Sequence, residues 1–145
     1  MDGFKVAAYL RENEPKQFEL LSTLPIEFHC VIKGVPYEYE GTVIQLNRLG
    51  EVEQIRYSNH TVKPFKFPMD IMEDYYEAYL NFSNLIRSDD FQIHFRFQEG
   101  DLNIIDNFRL LHGRTAFSKG HRSLLLFFMG RDTLYGRLKN LSAKK

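Results

Sequence analysis

No charge of one sign dominates this chain. Nineteen Lys and Arg residues balance nineteen Asp and Glu, so no overall field draws it onto nucleic acid or an anionic membrane, and a small-molecule or protein partner is expected. Cysteine is almost absent: Cys30 stands alone, which excludes an internal disulfide and fits a reducing compartment. No apolar run approaches the roughly 18 residues of a membrane span. Asp2, Lys5, Arg11, Glu12 and Glu14 break up the opening too early for a signal peptide. A cytoplasmic location, with the mitochondrion as alternative, is the expectation. Also missing are a glycine-rich phosphate loop, a cysteine pair for zinc, a nucleophile elbow, an internal repeat and any low-complexity linker.

What is present, 145 residues of which 43% are hydrophobic and 26% charged, describes one globular domain over 1–145 with a real core. Phe4, Ala7, Ala8 and Leu10 recur at helical spacing within residues 3–13, and Asp2 is placed to cap them. Pro15 suits the first turn of a second helix over 16–21. From Ile26 the period shortens to two. Strands are expected from Ile26 to Lys33-Gly34, over 37–39, over 42–46 and over 52–57, arranged as an antiparallel meander that Ser58 to Thr61 and Pro64 terminate. After Pro68 and Asp70, the residues Met72, Tyr75, Tyr76, Tyr79, Phe82, Leu85 and Ile86 form a wide helical stripe. Phe91, Ile93, Phe95 and Phe97 then alternate with polar residues and predict a further strand. Arg137, Lys139, Lys144 and Lys145 are expected to form a solvated basic end.

The stretch from Asp106 to Arg122 carries the chemistry. Apolar segments flank it, so strand, loop, strand is expected, with His112 closing the first strand and Arg122 opening the second. The loop between them holds Gly113, Ser118, Lys119 and Gly120. An imidazole serves metal binding and proton transfer, and a guanidinium suits a carboxylate or phosphate. Residue types alone leave two possibilities open: a shared anion and metal site, or a hydrogen-bonded strand histidine and an exposed charge. His29, His60, His94 and His121 are scattered singly and are expected to be structural or exposed.

Asp106-Asn107-Phe108-Arg109-Leu110-Leu111-His112-Gly113-Arg114-Thr115-Ala116-Phe117, followed by an isolated Arg122, resembles the C-terminal signature of the gamma-butyrobetaine and trimethyllysine dioxygenases. These belong to the taurine-dioxygenase-like superfamily of iron(II) and 2-oxoglutarate oxygenases. The likeness extends to Ile55-Arg56-Tyr57-Ser58-Asn59, to Tyr75-Tyr76 and to Asp2-Gly3-Phe4. It implies a mainly β fold with flanking helices, part of a double-stranded β-helix (a jelly roll of the clavaminate synthase-like kind). It further implies iron(II) as cofactor, 2-oxoglutarate as cosubstrate with ascorbate beside them, and a trimethylammonium amino acid as substrate; because half a barrel exposes unpaired strand edges and apolar faces, a homodimer is expected.

By the same resemblance His112 is the distal histidine of a triad of two histidines and one carboxylate, which leaves open positions on the metal. Arg122 pairs with the far carboxylate of 2-oxoglutarate, and Arg114 braces the loop. Phe128 corresponds to one ring of the cage around the trimethylammonium head, and Ser58 or Asn59 to a polar group on the substrate side. The family's other two iron ligands form a His-x-Asp or His-x-Glu pair, and no histidine in this chain is followed two positions later by either acid. Three readings therefore stand. The chain is the C-terminal part of such an enzyme, inactive by itself; or a short relative without iron that acts as a binding or regulatory subunit; or a small anion-binding β domain.

Overall fold

A computed structural model of the chain describes residues 1–115 and 123–143. Its contacts divide into two units, Met1–Gly113 and Arg114–Lys145.

In the first unit, helix α1 (Gly3–Asn13) starts where Asp2 accepts a hydrogen bond from the Phe4 amide, satisfying one of the donors that every helix N-terminus leaves orphaned. Its buried face is Gly3, Val6, Ala7 and Leu10; Val6 is inside where the spacing argument had put Ala8, which is exposed. Helix α2 (Pro15–Thr23) has Pro15 at its start and buries Phe18 and Leu21. Helix α3 (Met69–Leu85) buries Tyr75, Ala78, Phe82 and Ser83, a stripe at helical spacing from which Tyr76, expected in it, is excluded as an exposed residue.

Strands β1 (Ile26–Ile32) and β2 (Val35–Gly41) form an antiparallel hairpin in the register Ile26 opposite Gly41 and Ile32 opposite Val35. Lys33 and Gly34 turn it with φ of 51° and 81°. Two successive left-handed residues match the right-handed twist of the flanking strands. Strands β3 (Ile44–Leu46) and β4 (Val52–Ile55) form a second antiparallel pair with an irregularity after Gln45. Between them the Asn47 side chain accepts from the Leu49 and Glu51 amides at 2.9 and 3.0 Å, and Gly50 has φ of 77°. The expected single meander is thus two separate hairpins. The break falls at Gly41-Thr42-Val43, where the chain leaves one sheet to enter the other. The Ser58 to Thr61 turn ends β4 as expected, but the chain then pairs briefly with β1, where the His29 amide donates to the Thr61 carbonyl and the Lys63 amide to the Glu27 carbonyl.

Val6, Leu10, Leu21, Ile44, Ile55, Tyr75 and Phe82 form the core where α1, α2 and α3 meet the β3–β4 hairpin. Rings extend it: Phe65 packs on Tyr75 and Tyr79 at 4.8 and 5.2 Å, and Tyr57 on Tyr79 at 5.3 Å. The Tyr57 hydroxyl donates to Ser83 at 2.7 Å, which explains a buried serine on an apolar stripe.

Three expected strands are not formed. Residues 91–97 and the two apolar segments expected to flank the His112 loop as strands, 102–105 before it and 124–129 after it, lie in no ladder among the described residues, and most of their apolar side chains are exposed, Ile93 at 79% and Leu102 at 84%. Alternation marks a segment fit for a half-buried sheet surface, but a strand exists only where a neighbour takes up its backbone donors and acceptors. In the second unit, helix α4 (Arg131–Ser142) occupies part of the expected basic end. It buries no residue, so Arg137 and Lys139 are solvated as expected, although on a helix.

Candidate functional site

His112 does not close a strand. The chain reaches it through an Asx turn: the Asp106 side chain accepts from the Phe108 amide at 3.1 Å, and the Asp106 carbonyl accepts from the amides of Arg109 and Leu110. A short carboxylate that bonds its own backbone two residues on sets such a turn locally. The segment leaving the turn threads between two elements. On one side the Ile55 amide, ending β4, donates to the Phe108 carbonyl at 2.9 Å; on the other, Gly3 donates to Arg109 at 3.0 Å, while Met1 and Leu111 exchange bonds at 3.1 Å. This ladder replaces the strand expected over 102–105.

Arg109 anchors the segment. Its Nε and Nη2 donate to the Asp2 carboxylate at 3.1 and 2.6 Å, and its guanidinium lies over the Phe4 ring at 5.4 Å. Arg109 holds the Asp2 carboxyl below its ordinary value, first through this hydrogen bond, with partial burial opposing.

A cleft of about 250 Å³ opens where the segment passes the end of β4, lined by Gln54, Ile55, Arg56, Tyr57, Asn107, Leu110, Leu111 and His112. Ile55 is 3% exposed and points into the core. Strand alternation therefore sends Gln54 and Arg56 to the opposite face. The Arg56 Nη2 donates to Gln54 Oε1 at 2.7 Å and its guanidinium lies over the Tyr39 ring at 4.9 Å. The imidazole of His112 is exposed.

The other residues singled out from sequence lie elsewhere. Ser58 is half-buried in the turn after β4, its carbonyl accepting from Thr61 and Val62; Asn59 is exposed beside it, and neither lines the cleft. Arg114 and Phe128 belong to the second unit, where both are exposed, Phe128 at 86%. Arg122 lies outside the described residues. Sequence reasoning missed Gln54, Arg56, Tyr57 and Asn107 as cleft residues. The signal was available in part, because Ile55 at a core position forces its neighbours outward.

Iron in the expected triad needs three protein ligands on one face. Among the described residues no three His, Cys, Asp or Glu side chains converge on a point where a metal would sit. His112 is the one histidine or acid in the cleft lining, so these residues do not by themselves fit the iron site.

The profile of the taurine catabolism dioxygenase TauD, TfdA family matches residues 1–127. The chain is 36% identical over 140 positions to gamma-butyrobetaine dioxygenase of Pseudomonas sp. (strain AK-1), covering 95% of this chain and 37% of that protein. To the Homo sapiens gamma-butyrobetaine dioxygenase it is 32% identical over 150 positions, covering 97% and 38%. To trimethyllysine dioxygenase of Neurospora crassa it is 31% identical over 146 positions, covering 97% and 31%. It thus spans less than two fifths of the length of each of these relatives. With a match that runs from the capped start of α1 past the His112 cleft, this chain belongs to the taurine catabolism dioxygenase TauD, TfdA family.

Proposed function

We propose that this chain supplies the C-terminal segment of an iron(II) and 2-oxoglutarate-dependent hydroxylase that acts on a trimethylammonium amino acid, as a portion of one jelly-roll catalytic domain. The observation that carries the reading is the position of His112, on the wall of a cleft and within the residues 1–127 that match the family. The names of the relatives support the substrate class.

In this reading His112 contributes one of the three metal ligands and Arg122 grips the distal carboxylate of 2-oxoglutarate, a task suited to a planar fork that does not titrate. Arg114 braces the connecting loop. Phe128 offers a ring face to the quaternary ammonium, and Ser58 and Asn59 stand on the substrate side. The remaining ligands come from sequence outside these residues, and the chain by itself is inactive. One arginine contact contributes roughly 1.5 to 3 kcal/mol, far below the roughly 8 kcal/mol of micromolar binding.

The test is complementation. The purified chain is mixed or co-expressed with the part of the Pseudomonas gamma-butyrobetaine dioxygenase that this chain does not match, and succinate formation is followed with iron(II), 2-oxoglutarate and gamma-butyrobetaine. Turnover by the pair, none by the chain alone, and its loss in His112→Ala are expected. Turnover that survives His112→Ala, or a soluble pair without turnover, would overturn the proposal.

A further inference from the structure

We infer that Arg56 is a carboxylate-binding residue of the His112 cleft in addition to the role proposed for Arg122, and that the ligand it takes there is a small aliphatic carboxylic acid. The inference rests on the proposed function in one respect, that this cleft is where the ligand lies. Arg56 follows β4 directly, and its amide donates to the Val43 carbonyl at 2.8 Å, so its backbone is fixed. Its guanidinium is held from two sides, by the Tyr39 ring at 4.9 Å and by Gln54 Oε1 at 2.7 Å.

Both of those partners are neutral. No ion pair among the described residues uses Arg56, in contrast to Arg109, which is neutralised by Asp2. A guanidinium fixed by a ring face and one amide oxygen keeps further donors of its fork for a carboxylate. No acidic side chain lines the cleft. Asn107 and His112 line the same cleft as Arg56, and Leu110 and Leu111 add apolar residues to its lining. A permanent positive charge beside an apolar wall fits an acid with a short aliphatic chain better than a phosphate. The hydroxyl of Tyr57, engaged by Ser83, leaves its ring as a further apolar surface.

The test is an NMR titration of the full isotope-labelled chain with butyrate, using butyramide, its uncharged counterpart, as the control. Butyrate is expected to shift the Arg56 side-chain Nε–H and the Asn107 side-chain amide, and butyramide to leave both in place. Arg56→Gln is expected to weaken the Asn107 response roughly tenfold, and Arg56→Lys, which keeps charge but not the fork, by less. Unchanged core amide resonances of Val6, Leu10 and Phe82 certify that each variant is folded. Equal responses to butyrate and butyramide, or an Asn107 response unaltered in folded Arg56→Gln, would overturn the assignment. A butyrate response that depends on Arg56 in a chain whose complemented pair makes no succinate would sink the dioxygenase reading and leave the Arg56 assignment standing.

Discussion

Asp2 and Arg109 join the start of the first helix to the segment that presents His112. One carboxylate caps α1 through the Phe4 amide at 3.0 Å and receives the Arg109 guanidinium at 2.6 Å. Local helix chemistry and long-range placement of the cleft thereby share a single side chain.

Replacing Asp2 by Ala removes both roles. The cap alone contributes about 1 kcal/mol, so the urea midpoint of Asp2→Ala should fall accordingly. A double-mutant cycle with Arg109→Ala should show favourable coupling between the two residues. Additive effects within error would mean the pair does not couple.

Acid should erase that contribution. Because Arg109 holds the folded-state carboxyl of Asp2 below its ordinary value of 3.8, the folded state binds fewer protons than the unfolded chain while the group titrates. The stabilisation is therefore present above about pH 4 and is lost as pH falls through the folded-state value. The gap in urea stability between the wild type and Asp2→Asn should be full at pH 6 and close toward pH 2. A gap that stays constant across that range would contradict the linkage.

Gly3 is required by close approach. A Cβ there would lie 2.9 Å from the Arg109 carbonyl oxygen and 2.9 Å from Ile55 Cγ1, and the first of these is backbone. Gly3→Ala should cost about 1 to 3 kcal/mol and weaken hydrogen-exchange protection of the Ile55 amide, which depends on the same segment. A variant as stable as the wild type would show that the segment can shift freely.

Two tyrosines at one aromatic cluster should respond in opposite directions to loss of their hydroxyls. Tyr57 donates to Ser83, which is itself buried, so Tyr57→Phe should destabilise by about 1 kcal/mol. The Tyr75 hydroxyl is fully buried without a partner among the described residues, and burial pushes its pKa up. Tyr75→Phe removes an unmet polar group and should be neutral or stabilising by up to about 1 kcal/mol. Thermal unfolding of the two variants decides it, and equal losses would contradict the contrast.

Much of the helical part was legible in the residues themselves. Asp2 before Gly3, Pro15 opening α2 and the stripe of Tyr75 and Phe82 each declare a helix whose hydrogen bonds close within the segment. The β1–β2 hairpin was legible for a similar reason, since Lys33-Gly34 turns the chain directly onto itself.

What sequence alone determined, then, were the elements whose bonding is local, together with the chemical types at 106–112. Tertiary structure decided everything that needs a distant partner. Alternation over 91–97 could not make a strand without a neighbouring edge. Likewise, no spacing rule could reveal that Phe108 would accept from Ile55 and so bring Arg56 to the cleft of His112. A helix satisfies its own backbone, whereas a strand and a cleft are completed by residues far away along the chain.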